Sequence, residues 1–415
     1  MSKRLLSRFL GSVIEKGVLE ARFADGTVQR FGTPAEGYPE LAVIFTDSKV
    51  PRDILLDPRI GAAEAYMDQR LELEGGGIME LIQLLRSNAL WERGGELRAP
   101  TLRRRIANRA KFAYQSINDR IGSRKNVAHH YDIGNALYEL MLDPEHMQYS
   151  CAYWPDGVET LADAQEAKLA HIAAKLALAD GQSVLDIGCG WGGMAIFLAR
   201  HFDVKVTGIT LSQEQLALAR TRAEEAGVAD RVSFELVDYR DLAERGTRFD
   251  RIVSVGMFEH VGRPQFETFF RCCANLLADD GVMLVHTIGR FGSPGVTDAF
   301  TNKYIFPGGY IPALSETVAA SEKYRLIHTD IETLRLHYAR TLRAWYANCE
   351  ANREAIVRMY DERFYRMWTF YLAGATAAFE WGGMGNYQIQ FCRSRHILPI
   401  TRGYMASEEA KLRGA

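Results

Sequence analysis

The sequence predicts a doubly wound α/β fold, a mostly parallel sheet with an antiparallel last strand, preceded by a smaller α+β domain. Three observations predict it. From about residue 160 onward, helical and strand patterns alternate, the order that builds a parallel sheet covered by helices on both faces. A glycine-rich loop, "VLDIGCGWGG" from Val184 to Gly193, joins the first strand of that series to a helix. Ahead of it lie short strands and helices broken by glycines, and a length of 415 residues leaves room for about two domains.

The elements follow in order. "MSKRLLSRFLGSVIEKG" spaces its apolar residues helically, unlike the continuous block of a secretion signal, and no apolar run approaches the roughly 20 residues that span a bilayer. "VLEARFADGTVQRFG" reads as two strands around Asp25-Gly26, with "LAVIFTD" as a third. "GAAEAYMDQRL" and "IMELIQLLRSN" read as short helices separated by Gly75, Gly76 and Gly77, and "GGELRAP" as a linker. In "TLRRRIANRAKFAYQSINDRIGSRK", Leu102, Ile106, Ala110, Ala113, Ile117 and Ile121 recur at helical spacing while Arg103, Arg104, Arg105, Arg109 and Lys111 take other positions. This basic amphipathic helix either docks on the next domain or meets anionic lipid headgroups. The expected division is an accessory domain over 1–97, the basic helix over 98–125, and the α/β domain over 126–400. A glycine- and proline-rich lid at about 290–311 would cover the sheet's carboxyl edge.

Composition narrows the function. An apolar fraction of 47% fills a sizeable core, and a net charge of -2 argues against a nucleic-acid binder dominated by phosphate contacts. The charge is uneven, with 21 basic against 16 acidic residues through Lys125 and 29 against 36 beyond it. Six cysteines without C-x-x-C or metal-ligand spacing point to reduced thiols, no zinc and a cytoplasmic protein.

Glycines 188, 190 and 192 allow close approach of a ligand, and the following helix N-terminus suits an anionic group. Asp186 stands two residues before the first glycine. The second strand ends without the acid that a dinucleotide fold uses for ribose; "VTGITLSQEQ" offers Thr210, Ser212 and Gln215 instead. "LVDYRDL" supplies Asp238, an adenine acceptor or a strand-end turn residue, and Tyr239, a stacking face or a core aromatic. In "MQYSCAYWPDG", Cys151 is either core filler or part of a wall in which Tyr149, Tyr153 and Trp154 face a positive charge. From the residues alone, Glu259-His260 is a helix-start pair, His286 a core histidine and Tyr338 a helix-face aromatic.

The loop resembles motif I of class I S-adenosylmethionine methyltransferases, and with it the Rossmann-like methyltransferase sheet. Together "HYDIGNALYELMLD", "MQYSCAYW", "VLDIGCGWGG", "DRIVSVGMFEHVG", "LVHTIG", "NKYIFPGG" and "HYARTLRAW" resemble the cyclopropane-fatty-acyl-phospholipid synthase family, in family order, from about Asn126 to about Ser394. The resemblance implies that Tyr149, Ser150, Asp186, Gly188, Gly190, Thr210, Gln215, Asp238 and Tyr239 surround S-adenosylmethionine. It implies that Cys151, Glu259, His286, Ile288 and Tyr338 form an active site around bicarbonate. It further implies a methylene added across the cis double bond of acyl chains in membrane phospholipids, a carbocation deprotonated by the bicarbonate, peripheral attachment to the membrane, and a homodimer. The tail "ITRGYMASEEAKLRGA" carries no role in that pattern.

Overall fold

Asp25 and Gly26 close the first hairpin. Gly26 takes φ 81°, a left-handed backbone that glycine adopts freely, and Asp25 accepts the Thr27 N–H at 3.1 Å. The turn joins β1 (Val18–Arg22) to β2 (Val28–Phe31); β3 (Glu40–Phe45) pairs parallel to β1, and β4 (Leu71–Glu74) antiparallel to β3. The sheet order is β2-β1-β3-β4. Around it lie α1 (Ser2–Val13), α2 (Val50–Leu56), α3 (Gly61–Met67) and α4 (Ile78–Ser87). Strand β4 departs from the helix read through "GAAEAYMDQRL". Gln69 turns the chain at φ 58°, and Arg70 bridges Asp47 at 2.6 Å and Asp53 at 2.9 Å, so the alternating "LELE" continues as a strand.

The computed structural model describes residues 2–58, 60–95 and 134–414; the basic segment 98–125 lies outside the described residues. The chain divides into two compact units. The first holds Met1–Arg109, Thr297–Pro307 and Leu342–Met384, and the second Ala110–Val296, Gly308–Thr341 and Gly385–Ala415. This differs from boundaries at 97 and 126 and splits the expected lid. The helix Glu362–Glu380, expected in the α/β domain, packs on α3 and α4. Arg366 there bonds Glu72 at 2.8 and 3.0 Å and the Tyr66 carbonyl at 3.0 Å, so a long sequence separation conceals a short physical one.

The second unit carries the predicted sheet. Its strands are β5 (Ser183–Ile187), β6 (Lys205–Thr210), β7 (Val232–Leu236), β8 (Phe249–Val255), β9 (Leu277–Arg290), β10 (Ile327–Leu334) and β11 (Met384–Cys392), in the order β10-β11-β9-β8-β5-β6-β7. Pairing is parallel from β7 through β9, and β10 and β11 pair antiparallel. Its helices include α5 (Asn135–Met141), α6 (Leu161–Leu176), α7 (Gly193–His201), α8 (Gln213–Glu225), α9 (Tyr239–Glu244), α10 (Phe266–Leu276), α11 (Leu314–Glu322), α12, His337–Ala351, whose first residues belong here, and a C-terminal helix, Gly403–Leu412. Side chains of Thr160, Ser212 and Asp238 cap α6, α8 and α9. One apolar cluster gathers Phe258, Phe266, Phe269, Phe270 and Phe391, and another Leu169, Phe197, Val206 and Phe234. A fully buried side chain of this size contributes about 1.5–3 kcal/mol. All six cysteines are free and buried, with Cys272 and Cys273 in the aromatic cluster.

Candidate active site

Strand β5 has β6 on one side and β8 on the other, so the chain order reverses at its carboxyl end, where such sheets bind ligands. The glycine loop begins there. Gly188 (φ 83°) and Cys189 both donate to the Ile209 carbonyl, at 2.9 and 3.0 Å, and Gly192 (φ 83°) opens α7. A Cβ on Gly190 would meet nothing within 4 Å, which leaves open space against bare backbone beside a helix N-terminus. Cys189 is packing. Asp186 is buried beneath the loop, and its Oδ2 finds no hydrogen-bond partner among the described residues. Burial pushes its carboxyl up to about 7, opposed by nearby Lys168.

Lys168 is the residue that the sequence reading missed. It sits on α6, wholly buried, and donates to Ser150 Oγ at 3.0 Å and to Gln148 Oε1. Burial lowers its ammonium to about 7. Its spacing from His171 and Lys175 puts three basic residues on one helix face, a signal that was available. Tyr149 is half-buried, with its ring 5.1 Å from Tyr138 and the latter 5.0 Å from Trp191. Gly256 lies against Ser150 and donates to the His286 carbonyl at 2.9 Å, so the "QYSC" segment, the end of β8 and β9 converge.

On the other side of β5, Thr210 donates to Gln215 Oε1 at 2.9 Å and accepts from the Ser212 N–H at 3.2 Å. Asp238 caps α9 and receives the Arg240 guanidinium at 2.8 and 2.7 Å, a partner the sequence reading did not assign. Tyr239 packs edge-on against Phe269 at 5.4 Å within the core cluster.

Glu259 and Ile288 are brought together. The Ile288 N–H donates to Glu259 Oε1 at 2.5 Å, and Glu259 Oε2 is buried with no partner among the described residues. Burial raises this carboxyl to about 7. Tyr310, at the second end of the glycine-rich segment, donates its N–H to the Glu259 carbonyl at 2.9 Å. His286 lies one pleat away on β9, buried, with its ring nitrogens 3.0 Å from the Asn386 amide and 3.1 Å from the Gln388 amide on β11. Burial first, then surrounding cationic charge, holds it well below the usual imidazole range, so it is neutral. A donor role toward a ligand requires one amide to turn away.

Cys151 is fully buried, and burial drives its thiol well up, which keeps it protonated and unsuited to act as a nucleophile. Ala152 N–H donates to Thr341 Oγ1 at 3.1 Å, Trp154 N–H to His337 Nδ1 at 2.8 Å and Trp154 Nε1 to Thr341 Oγ1 at 3.0 Å. These bonds pin the Cys151 segment to the first turn of α12, which carries Tyr338. Tyr153 and Trp154 do not form the expected aromatic wall. Tyr153 stacks between His171 and His337, and Trp154 lies beneath Arg340 at 4.4 Å.

The profile of the mycolic acid cyclopropane synthetase family matches residues 118–389, and that of a domain of unknown function matches 6–90. The chain is 38% identical over 377 residues to the cyclopropane-fatty-acyl-phospholipid synthase of Escherichia coli, spanning 90% of this chain and 93% of that one. It is 41% identical over 295 residues to a probable fatty acid methyltransferase of Pseudomonas putida, spanning 69% and 74%. Among solved structures, mycolic acid cyclopropane synthase CmaA1 complexed with SAH and CTAB superposes with a TM-score of 0.61 at 31% identity, covering 65% of this chain and 98% of that one. The match to the family profile takes in the glycine loop and the β8–β9 edge together, and the chain belongs to the mycolic acid cyclopropane synthetase family of S-adenosylmethionine-dependent methyltransferases.

Proposed function

We propose that the protein is a cyclopropane fatty acid synthase acting on cis-unsaturated acyl chains of membrane phospholipids. The observation that carries this reading is Glu259, a buried carboxylate with one oxygen held by a backbone N–H and the other without a hydrogen-bond partner among the described residues. S-adenosylmethionine supplies an electrophilic methyl group on a sulfonium. Bicarbonate supplies a small base for the added methyl of the cationic acyl chain.

The residues present fit both groups. Open backbone at Gly190 and the α7 N-terminus suit the carboxylate end of the cofactor, with Tyr149, Ser150 and Asp186 beside it. Thr210, Gln215, Asp238 and Tyr239 border the ribose and adenine end. Glu259 Oε2 accepts a hydrogen bond from the small base, and Cys151, His286, Ile288 and Tyr338 enclose it. Dry walls keep water from the developing cation, and a positioned base contributes about 10² to 10⁴-fold.

The Pseudomonas relative favours one alternative, a fatty-acyl methyltransferase leaving a methyl branch. Purified protein, methyl-labelled cofactor and monounsaturated phospholipid vesicles distinguish them. Ring protons in the NMR spectrum of the product support the synthase, a saturated methyl branch supports the alternative, and absence of product excludes both.

The lipid substrate requires contact with a bilayer, and no described helix is long and apolar enough to cross one. In the first unit, α1 buries Leu6 and Leu10 while Leu5 and Phe9 stand exposed beside Arg4 and Arg8. That face combines apolar and cationic groups as an interfacial helix does. Replacing Leu5 and Phe9 with Ser is expected to weaken sedimentation with anionic vesicles about tenfold. Replacing Arg103, Arg104 and Arg105 with Gln is expected to flatten its salt dependence. Wild-type binding by either variant at low salt rules out that segment as a docking surface.

A further inference from the structure

The C-terminal helix, Gly403–Leu412, belongs to the second unit and packs on α6. Its attachments are polar and specific. Glu409 Oε2 lies 2.7 Å from His171 Nδ1, and Glu332 Oε2 of β10 lies 2.7 Å from His171 Nε2. Arg402, just before the helix, pairs with buried Asp330, and Tyr404 accepts from Gln390 at 2.8 Å. On its open face, the His171 ring is stacked on Tyr153 at 4.1 Å and 9°, and Tyr153 is stacked in turn on His337 at 5.0 Å and 8°. Tyr153 is two residues from Cys151, and His337 adjoins Tyr338.

We infer that the C-terminal helix is a clamp on the catalytic segment: Glu409 and Glu332 fix His171 against Tyr153, and this stack positions Cys151 and the start of α12. The inference rests on the site proposed above. Glu409 and His171 touch neither substrate nor cofactor in this reading and are positioning residues.

Charge supports the geometry. Burial alone would lower the His171 imidazole, but the hydrogen bonds it donates to Glu332 and Glu409 outweigh burial and raise it. The imidazolium between two carboxylates then presents a cationic face to the Tyr153 ring. Lys175, one helical turn along α6, opposes the charge, and Arg413 lies 3.8 Å from Glu409. Asp156 faces Tyr153 from the same segment, while His337, lowered first by burial, also feels Arg340 on α12 and Arg335 just before it. Because the folded-state value is raised, the stabilisation is present at low pH and lost as pH rises through it. Removing one carboxylate moves that loss to lower pH.

The test uses the full chain with Glu409→Gln, and Lys411→Gln as an exposed control on the same helix. Turnover is measured on monounsaturated vesicles from about pH 6 to about pH 9, and hydrogen exchange is followed over residues 150–154. Glu409→Gln is expected to bind S-adenosylhomocysteine within about twofold of wild type. It should lose about fivefold or more in turnover over the pH interval between its own His171 titration and that of wild type, converge with wild type on either side, and exchange faster over 150–154 within that interval. Lys411→Gln should match wild type throughout. Wild-type turnover at every pH with unchanged exchange in Glu409→Gln overturns the clamp. Should that variant not fold, the unaltered chain decides: protection of 150–154 must fall as the His171 ring titrates, and protection indifferent to that titration overturns it. A wild-type chain that yields no lipid product fails the proposed function, while exchange still judges the clamp.

Discussion

Glu259→Gln is expected to lose turnover by at least about tenfold while binding S-adenosylhomocysteine as wild type does. The substitution keeps shape, and its amide oxygen still accepts the Ile288 N–H. It places an N–H donor where buried Oε2 offers an acceptor. Burial also sets a pH signature. With the Glu259 carboxyl raised from 4.5 to about 7, the acceptor form is reached only as pH passes about 7, so wild-type activity should climb there and residual Gln activity should not. Stability moves oppositely. The folded-state value lies above the unfolded one, so the contribution is fully present below 4.5 and is lost as pH rises to about 7. At 1.36 kcal/mol per pH unit this amounts to about 3 kcal/mol by pH 8, which the Gln variant escapes. A variant that melts higher at pH 8 yet turns over poorly cannot be dismissed as misfolded; unchanged turnover would remove Glu259 from the chemistry.

Gly188→Val should abolish function by another route. Gly188 holds φ 83°, a conformation costing roughly 1–2 kcal/mol for an L-residue and more for a β-branched one. Its Cβ would come within 2.8 Å of Met257 Cβ and Cγ, pushing the loop that leads to Glu259. We expect a lower melting temperature and cofactor binding weaker by about a hundredfold, roughly 2.7 kcal/mol. Gly190→Ala separates fold from ligand. Its methyl would meet no protein atom within 4 Å, so the fold should lose only about 1 kcal/mol while the methyl occupies the open space over the backbone. Calorimetry showing wild-type affinity for S-adenosylhomocysteine in Gly190→Ala would rule out this loop as the cofactor cradle.

Much of the centre was legible from local pattern. Thr160 and Ser212 announce their helices, the glycines announce the loop, and short, nearly continuous apolar runs mark the parallel strands. The unread parts share a cause. Lys168 and His171 look like ordinary helix-surface residues until the helix is buried on all sides. Arg240 reads as solvent-facing until it folds back on Asp238, and Asn386 and Gln388 read as strand polars until they meet His286. The tail, silent in sequence, ends up holding His171 of α6 through Glu409.

Backbone chemistry written along a few successive residues sufficed for the strand-loop-helix order, the left-handed glycines and the family to which they lead. Three-dimensional packing settled which polar groups are buried and what each faces. It also settled where the helix Glu362–Glu380 belongs and which carboxylates hold His171. The division is physical: torsional preference and periodicity act between near neighbours, whereas desolvation and charge pairing arise when distant segments exclude water from one another.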